Sequence, residues 1–133
     1  MRTFTVVLLC STAAFAACIN GYPSPQKEYA SSAFVLIGKV VGSSATPMSV
    51  DQYFLDGKTY QLVPVRVFKG GVKRSIELFS ENSSGRFPMQ LGKEYLVFAY
   101  ADHGRLMINN CGNSDLVSSA KKAVATIANL SSK

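Results

Sequence analysis

Histidine is almost missing from this sequence: His103 is the only one in 133 residues. It stands between Asp102 and Gly104, where a tight hairpin turn is expected. Catalysis through a Ser-His-Asp or Cys-His arrangement needs the imidazole held in a rigid pocket, which a solvent-facing hairpin tip does not provide. A zinc site needs three or four Cys, His or carboxylate ligands at recognisable spacing. One histidine and a few distant cysteines do not supply them. Carboxylates are scarce too, 8 against 14 Lys and Arg, and Glu77, Glu81 and Glu94 are scattered surface charges rather than an acid–base pair. No glycine-rich phosphate loop occurs, Gly70-Gly71 reading as a turn. The expectation is a protein with no catalytic residues, no cofactor and no metal of its own.

Long basic runs are also lacking. The formal charge is +6, yet no run of Lys or Arg exceeds two and there is no zinc-finger or RNA-binding signature. Nucleic acid is therefore not an expected partner, whereas attraction to acidic surfaces or glycans is permitted. The densest basic group is Arg66, Lys69, Lys73 and Arg74. It reads first as a solubilising patch, second as a site for sulfated glycans or an acidic partner. Beyond the N-terminus no apolar run is long enough to span a bilayer.

What is present begins with an export signal. Met1–Arg2 is a minimal positive region, Thr3–Ala14 is apolar or small, and Ala14-Phe15-Ala16 fits the small-residue cleavage rule. Residues 1–17 are expected to be a signal peptide that takes Cys10 with it. Residues 18–133 then form a single secreted or periplasmic, cell-envelope domain, expected to be a monomer. Three fates of Cys18 remain open. Cleavage after Ala16 leaves Ala17-Cys18, cleavage after Ala17 puts Cys18 first, and Phe15-Ala16-Ala17-Cys18 taken as a lipobox makes Cys18 a lipid anchor. Cys18 and Cys111 are an even pair in an oxidising compartment, either one disulfide or two buried thiols.

Along the domain, 21–32 reads as an irregular segment with two prolines. "AFVLIGKVVGS" (33–43) reads as a buried strand. Asp56-Gly57 is a hairpin signal between Tyr53-Phe54-Leu55 and a long second strand, in which Val63, Val65 and Val67 are the expected core face and Pro64 implies an edge or bulge. A third strand follows at 74–80, then a loop over 81–94 and a hairpin over 94–111 that turns at Asp102-His103-Gly104. From Asp115 onward Leu116, Val117, Ala120, Val124, Ile127 and Leu130 predict one face of a helix, capped by Ser114 or Asp115. Five strands and a C-terminal helix predict a mainly β fold, a five-stranded OB-fold barrel.

"AFVLIGKVVGS", "YQLVPVRVFKG", "IELFS" and "GKEYLVFAYADHGRLMINNCGNSDLV" together resemble the tissue inhibitor of metalloproteinases family and its wider netrin-like module superfamily. The most specific parts are Phe68-Lys69-Gly70 and the block from Gly92 to Cys111. The resemblance implies an OB barrel with flanking helices and a Cys18–Cys111 bond. It also implies a protein partner. In the inhibitors of this family that partner is a zinc metalloproteinase, whose metal is chelated by the amine and carbonyl of an N-terminal cysteine, here the segment Cys18, Ile19 and Asn20. The inhibitors open Cys-x-Cys, whereas Cys18 here is followed by Ile19-Asn20. Two functions are thus expected in order: a non-enzymatic protein-binding module, and a metalloendopeptidase inhibitor. A lipid-anchored envelope protein is the third.

Overall fold

The computed structural model describes residues 18–133; the expected signal peptide lies outside the described residues. The elements run α1 (Pro25–Ser31), β1 (Phe34–Thr46), β2 (Gly57–Lys69), β3 (Ile76–Glu81), β4 (Glu94–Asp102), β5 (Arg105–Met107), β6 (Asp115–Leu116) and α2 (Lys121–Ser131). The fold is mainly β. Strand pairing runs β1-β2-β3-β5-β4, and β4 pairs back with β1, so five strands close into a ring. All contacts are antiparallel except β3 with β5, which meet at Phe79 and Met107. β6 adds to the outer side of β4 through Tyr95 and Leu116.

Side-chain alternation on β1 and β4 sorts two cores. Leu36 and Val40 of β1 and Tyr95, Val97 and Ala99 of β4 join Tyr60, Leu62, Ile76, Leu78 and Ile108 in one buried cluster. The intervening Val35, Ile37, Leu96 and Phe98 point the other way, against Ala120 and Ile127 of the C-terminal segment, with Tyr29 of α1 packed alongside. Both strands are therefore buried on two faces, which is why they read as near-continuous apolar runs. Gly38 leaves room on the first face: a Cβ there would stand 2.9 Å from both Leu36 Cδ1 and Leu62 Cδ2.

β2 corrects the expected core face. Val63 and Val65 are exposed, at 42% and 56%, while Leu62 is fully buried. The cause is a set of bulges. Ile37 pairs with Arg66 and Gly38 with Pro64, leaving Val65 unpaired, and Phe68 is likewise the extra residue between Val67 and Lys69. Each extra residue inverts the alternation beyond it. Leu62 and Val67, five apart and so of opposite parity, can then both pack against the first cluster. Pro64 sits beyond the part of β2 that β3 pairs, so its missing N–H faces a free edge.

Three boundaries differ from expectation. The segment 21–32 contains α1, started by Ser24, whose hydroxyl accepts from the Lys27 N–H, and by Pro25 in the first turn. β1 extends to Thr46 and pairs with Gly57, so Asp56-Gly57 is not a two-residue hairpin turn. Gly57 is needed instead because a Cβ would run into the Ser80 carbonyl of β3. The C-terminal helix begins at Lys121 rather than Asp115, because Asp115 and Leu116 are drawn into pairing with β4. Ser114 does not cap it; its Oγ accepts the buried Phe98 N–H at 2.9 Å. The 102–104 turn is as expected, with His103 and Gly104 both at positive φ, the twist that suits a tight hairpin.

Candidate functional site

The N-terminal segment is the feature that the fold works hardest to position. Cys18 is bonded to Cys111, closing a sequence separation of 93 residues. Cys111 follows β5 in the run Asn109-Asn110-Cys111-Gly112-Asn113, and each asparagine fastens it. Asn109 Oδ1 accepts from the Cys111 N–H at 2.9 Å, and Asn110 Nδ2 donates to the Ser84 carbonyl at 3.0 Å. Asn113 Nδ2 donates to the Pro23 carbonyl at 2.9 Å, tying the loop to the N-terminal segment a second time.

Glu28 of α1 completes the clamp. Its Oε2 accepts from the Asn113 N–H at 2.7 Å and from Asn113 Nδ2 at 2.6 Å. Gly112 allows that approach, since a Cβ there would collide with the Glu28 carboxylate. Loss of water around Glu28 outweighs the two Asn113 donors and raises its pKa above the ordinary 4.5. The folded chain then holds this proton more tightly than the unfolded chain. The group's stabilising contribution is full below the unfolded value and is lost as pH rises through the folded one. Glu28→Gln is expected to flatten this fall in urea-unfolding free energy as pH rises above the ordinary 4.5. Parallel wild-type and variant profiles would contradict it. Glu28→Ala, which strands the Asn113 N–H and leaves Asn113 Nδ2 only the Pro23 carbonyl, is expected to lower stability by about 1–3 kcal/mol, read from urea midpoints.

Between these anchors the segment is presented outward. Ile19 is 94% exposed and Tyr22 69%. The Cys18 carbonyl accepts from the Gly21 N–H at 2.9 Å, so Cys18–Gly21 is a closed turn with Ile19-Asn20 at its tip. Gly21 adopts a φ of 68°, which suits glycine. A groove of about 1020 Å³ runs beside it, with Tyr22, Lys27, Phe98, Tyr100 and Asn109 among its lining. The turn and the residue after it thus offer an apolar side chain, an amide side chain and an aromatic ring, Ile19, Asn20 and Tyr22, from a covalently restrained backbone. The bond also engages the thiol that acylation of Cys18 would require.

The four basic residues have separate surroundings. Lys69 Nζ donates to the Tyr29 and Ala30 carbonyls at 2.8 and 3.0 Å, satisfying the C-terminal end of α1. Arg66 lies over the Phe68 ring and Lys73 over the Phe34 ring, at 4.7 and 5.3 Å. Arg74 is exposed. Lys69 therefore has a structural task, and Arg66, Lys73 and Arg74 remain at the surface. His103 is exposed, with Nδ1 2.6 Å from Asp102 Oδ1 and its ring 3.6 Å from that of Tyr53. Among the described residues no three His, Cys, Asp or Glu side chains gather where they could hold a metal.

The Glu28–Asn113 clamp lay beyond sequence reasoning, because its two residues are 85 apart and neither is unusual in type. The density of asparagine around Cys111 was the one signal that pointed to it. No protein-family model matches the sequence, and no curated protein is similar to it.

Proposed function

We propose that the chain is an exported, non-enzymatic protein-binding module of the netrin-like type, which presents its disulfide-anchored N-terminal segment to a protein partner. The observation that carries this reading is the Cys18–Cys111 bond, which holds Ile19 and Tyr22 in water on a fixed backbone. Exposed apolar and aromatic side chains on a backbone that is already restrained lose less entropy on binding, which favours their use as interface anchors. Export is supported by the signal-like N-terminus and by an internal disulfide of the kind that persists in oxidising compartments. The OB-barrel reading is supported by the ring order β1-β2-β3-β5-β4 with its single parallel contact.

A photo-crosslinking residue placed at position 19 tests the reading in the native host. One protein adduct is expected from position 19, and none from the same group at exposed Lys122 of α2. Adducts from Lys122 alone would contradict it.

A second reading, inhibition of a zinc endopeptidase, is favoured by one observation: the anchored cysteine stands at the start of the exposed turn. The Cys18 carbonyl already accepts the Gly21 N–H, leaving its second lone pair for a metal. Chelation would also need a free α-amine on Cys18. Inhibition lost on acetylating that amine is the result expected for this reading; inhibition surviving acetylation excludes it.

A further inference from the structure

The β1–β2 connection, residues 47–56, differs in character from the rest of the surface. Met48, Val50, Tyr53 and Leu55 are all exposed within it. Apolar side chains scattered singly are ordinary, whereas a contiguous group marks an interaction surface. The loop is held in one shape nonetheless. The Ser49 N–H donates to the Phe54 carbonyl at 3.0 Å, and the Phe54 N–H donates to Ser49 Oγ at 2.8 Å. Phe54 is buried against Phe79 and Met107, and the Tyr53 ring rests on His103. The backbone is tied and the Tyr53 and Phe54 rings are packed before any partner arrives.

The surrounding charge has the opposite sign to the molecule's. Half of the 8 carboxylates, Asp51, Asp56, Glu81 and Asp102, gather at this loop on a chain of net charge +6. Asp51 Oδ1 accepts from the Tyr53 N–H at 3.1 Å, Glu81 Oε2 from the Leu55 N–H at 3.2 Å, and Asp102 Oδ1 from the Tyr53 hydroxyl at 3.4 Å. Of the cations around the loop, Arg105 lies over the Phe54 and Phe79 rings with Nη1 buried, Arg86 donates to Asn82 Oδ1, and Lys58 is exposed beside Asp56. Among the described residues no Lys or Arg pairs with any of the four, and Asp102 Oδ1 also meets His103 Nδ1 at 2.6 Å.

We propose that the 47–56 loop is a docking surface for a basic protein segment, whose apolar side chains cover Val50, Tyr53 and Leu55 while its Lys or Arg side chains meet Asp51, Glu81 and Asp102. It rests on the protein-binding reading but uses residues other than the N-terminal turn. A second copy, docking through Arg66, Lys73 and Arg74, is the competing occupant.

The test selects a random-peptide library on the full mature chain. Selected peptides are then measured as synthetic ligands at low and high salt. The expected peptides carry Lys or Arg beside Leu, Phe or Tyr, and they bind more weakly as salt rises. Binding is expected to fall about ten-fold in a Val50→Ser, Leu55→Ser double variant. A smaller loss is expected in Asp51→Asn, Glu81→Gln, which keeps the backbone-accepting oxygens, and none in Ile19→Ser. Val50 and Leu55 are exposed, so circular dichroism should be unchanged. Acidic or uncharged peptides, full binding by the loop variant, or no enrichment at all would overturn the proposal. So would sedimentation showing a dimer that the loop variant abolishes. Binding lost in Ile19→Ser alone would also overturn it while leaving the N-terminal reading intact. Loop-dependent binding without a crosslink from position 19 would overturn that reading and support this one.

Discussion

Cys18→Ser is expected to lower the stability of the mature domain by about 4–5 kcal/mol, because the bond closes a loop close to the length of the whole domain. For a domain of this size that is a fall in melting temperature of roughly 15–20 °C. Cys111→Ser should match it, and the double variant should lose no more than either single one, since all three remove the same constraint. Thermal unfolding under oxidising conditions checks this, with reduced wild type as the reference. A melting temperature unmoved in either single variant would mean that the bond does not form. The consequence reaches function. Without the bond, the Pro23–Asn113 and Glu28–Asn113 hydrogen bonds alone would restrain the exposed turn.

Leu62→Ala is expected to cost about 2–5 kcal/mol, and Val65→Ala, three residues along the same strand, less than about 1 kcal/mol. Leu62 lies wholly inside the cluster that the ring encloses, and Val65 is a bulge residue facing water. Urea unfolding of the two variants measures the difference. The reverse order would place the valine face inside and contradict the observed register.

The same pair shows where sequence reading works and where it stops. Strict alternation selects the valines of β2, because period two is the only signal the sequence carries there. The bulges at Val65 and Phe68 reverse that parity, and they depend on how β2 meets β1, which is not local information. Pro64 gave the one local hint, and its reading as an edge or bulge position agrees with the pairing. β1 and β4 were legible because burial on two faces makes them dense apolar runs between turn residues, and β3 through Ile76 and Leu78 sharing one face. The late start of α2 was not. Leu116 keeps helical spacing with Ala120 and Val124, yet its backbone is taken up by β4. α1 did carry a signal, Ser24 before Pro25, masked by the prolines and polar residues around it. At the candidate site the two cysteines were legible as a pair, and the resemblance implied their bond. The fastening by Glu28 and Asn113 emerges only when the chain closes.

The most direct measurement is the mass of the protein from its native host, intact and after reduction, with the disulfide-linked peptides mapped. The expected result is a chain beginning at Ala17 or Cys18 that gains the mass of two hydrogens on reduction and yields a linked Cys18–Cys111 peptide. Two free thiols, or an acylated Cys18, would contradict the anchored N-terminal segment on which the proposed function rests.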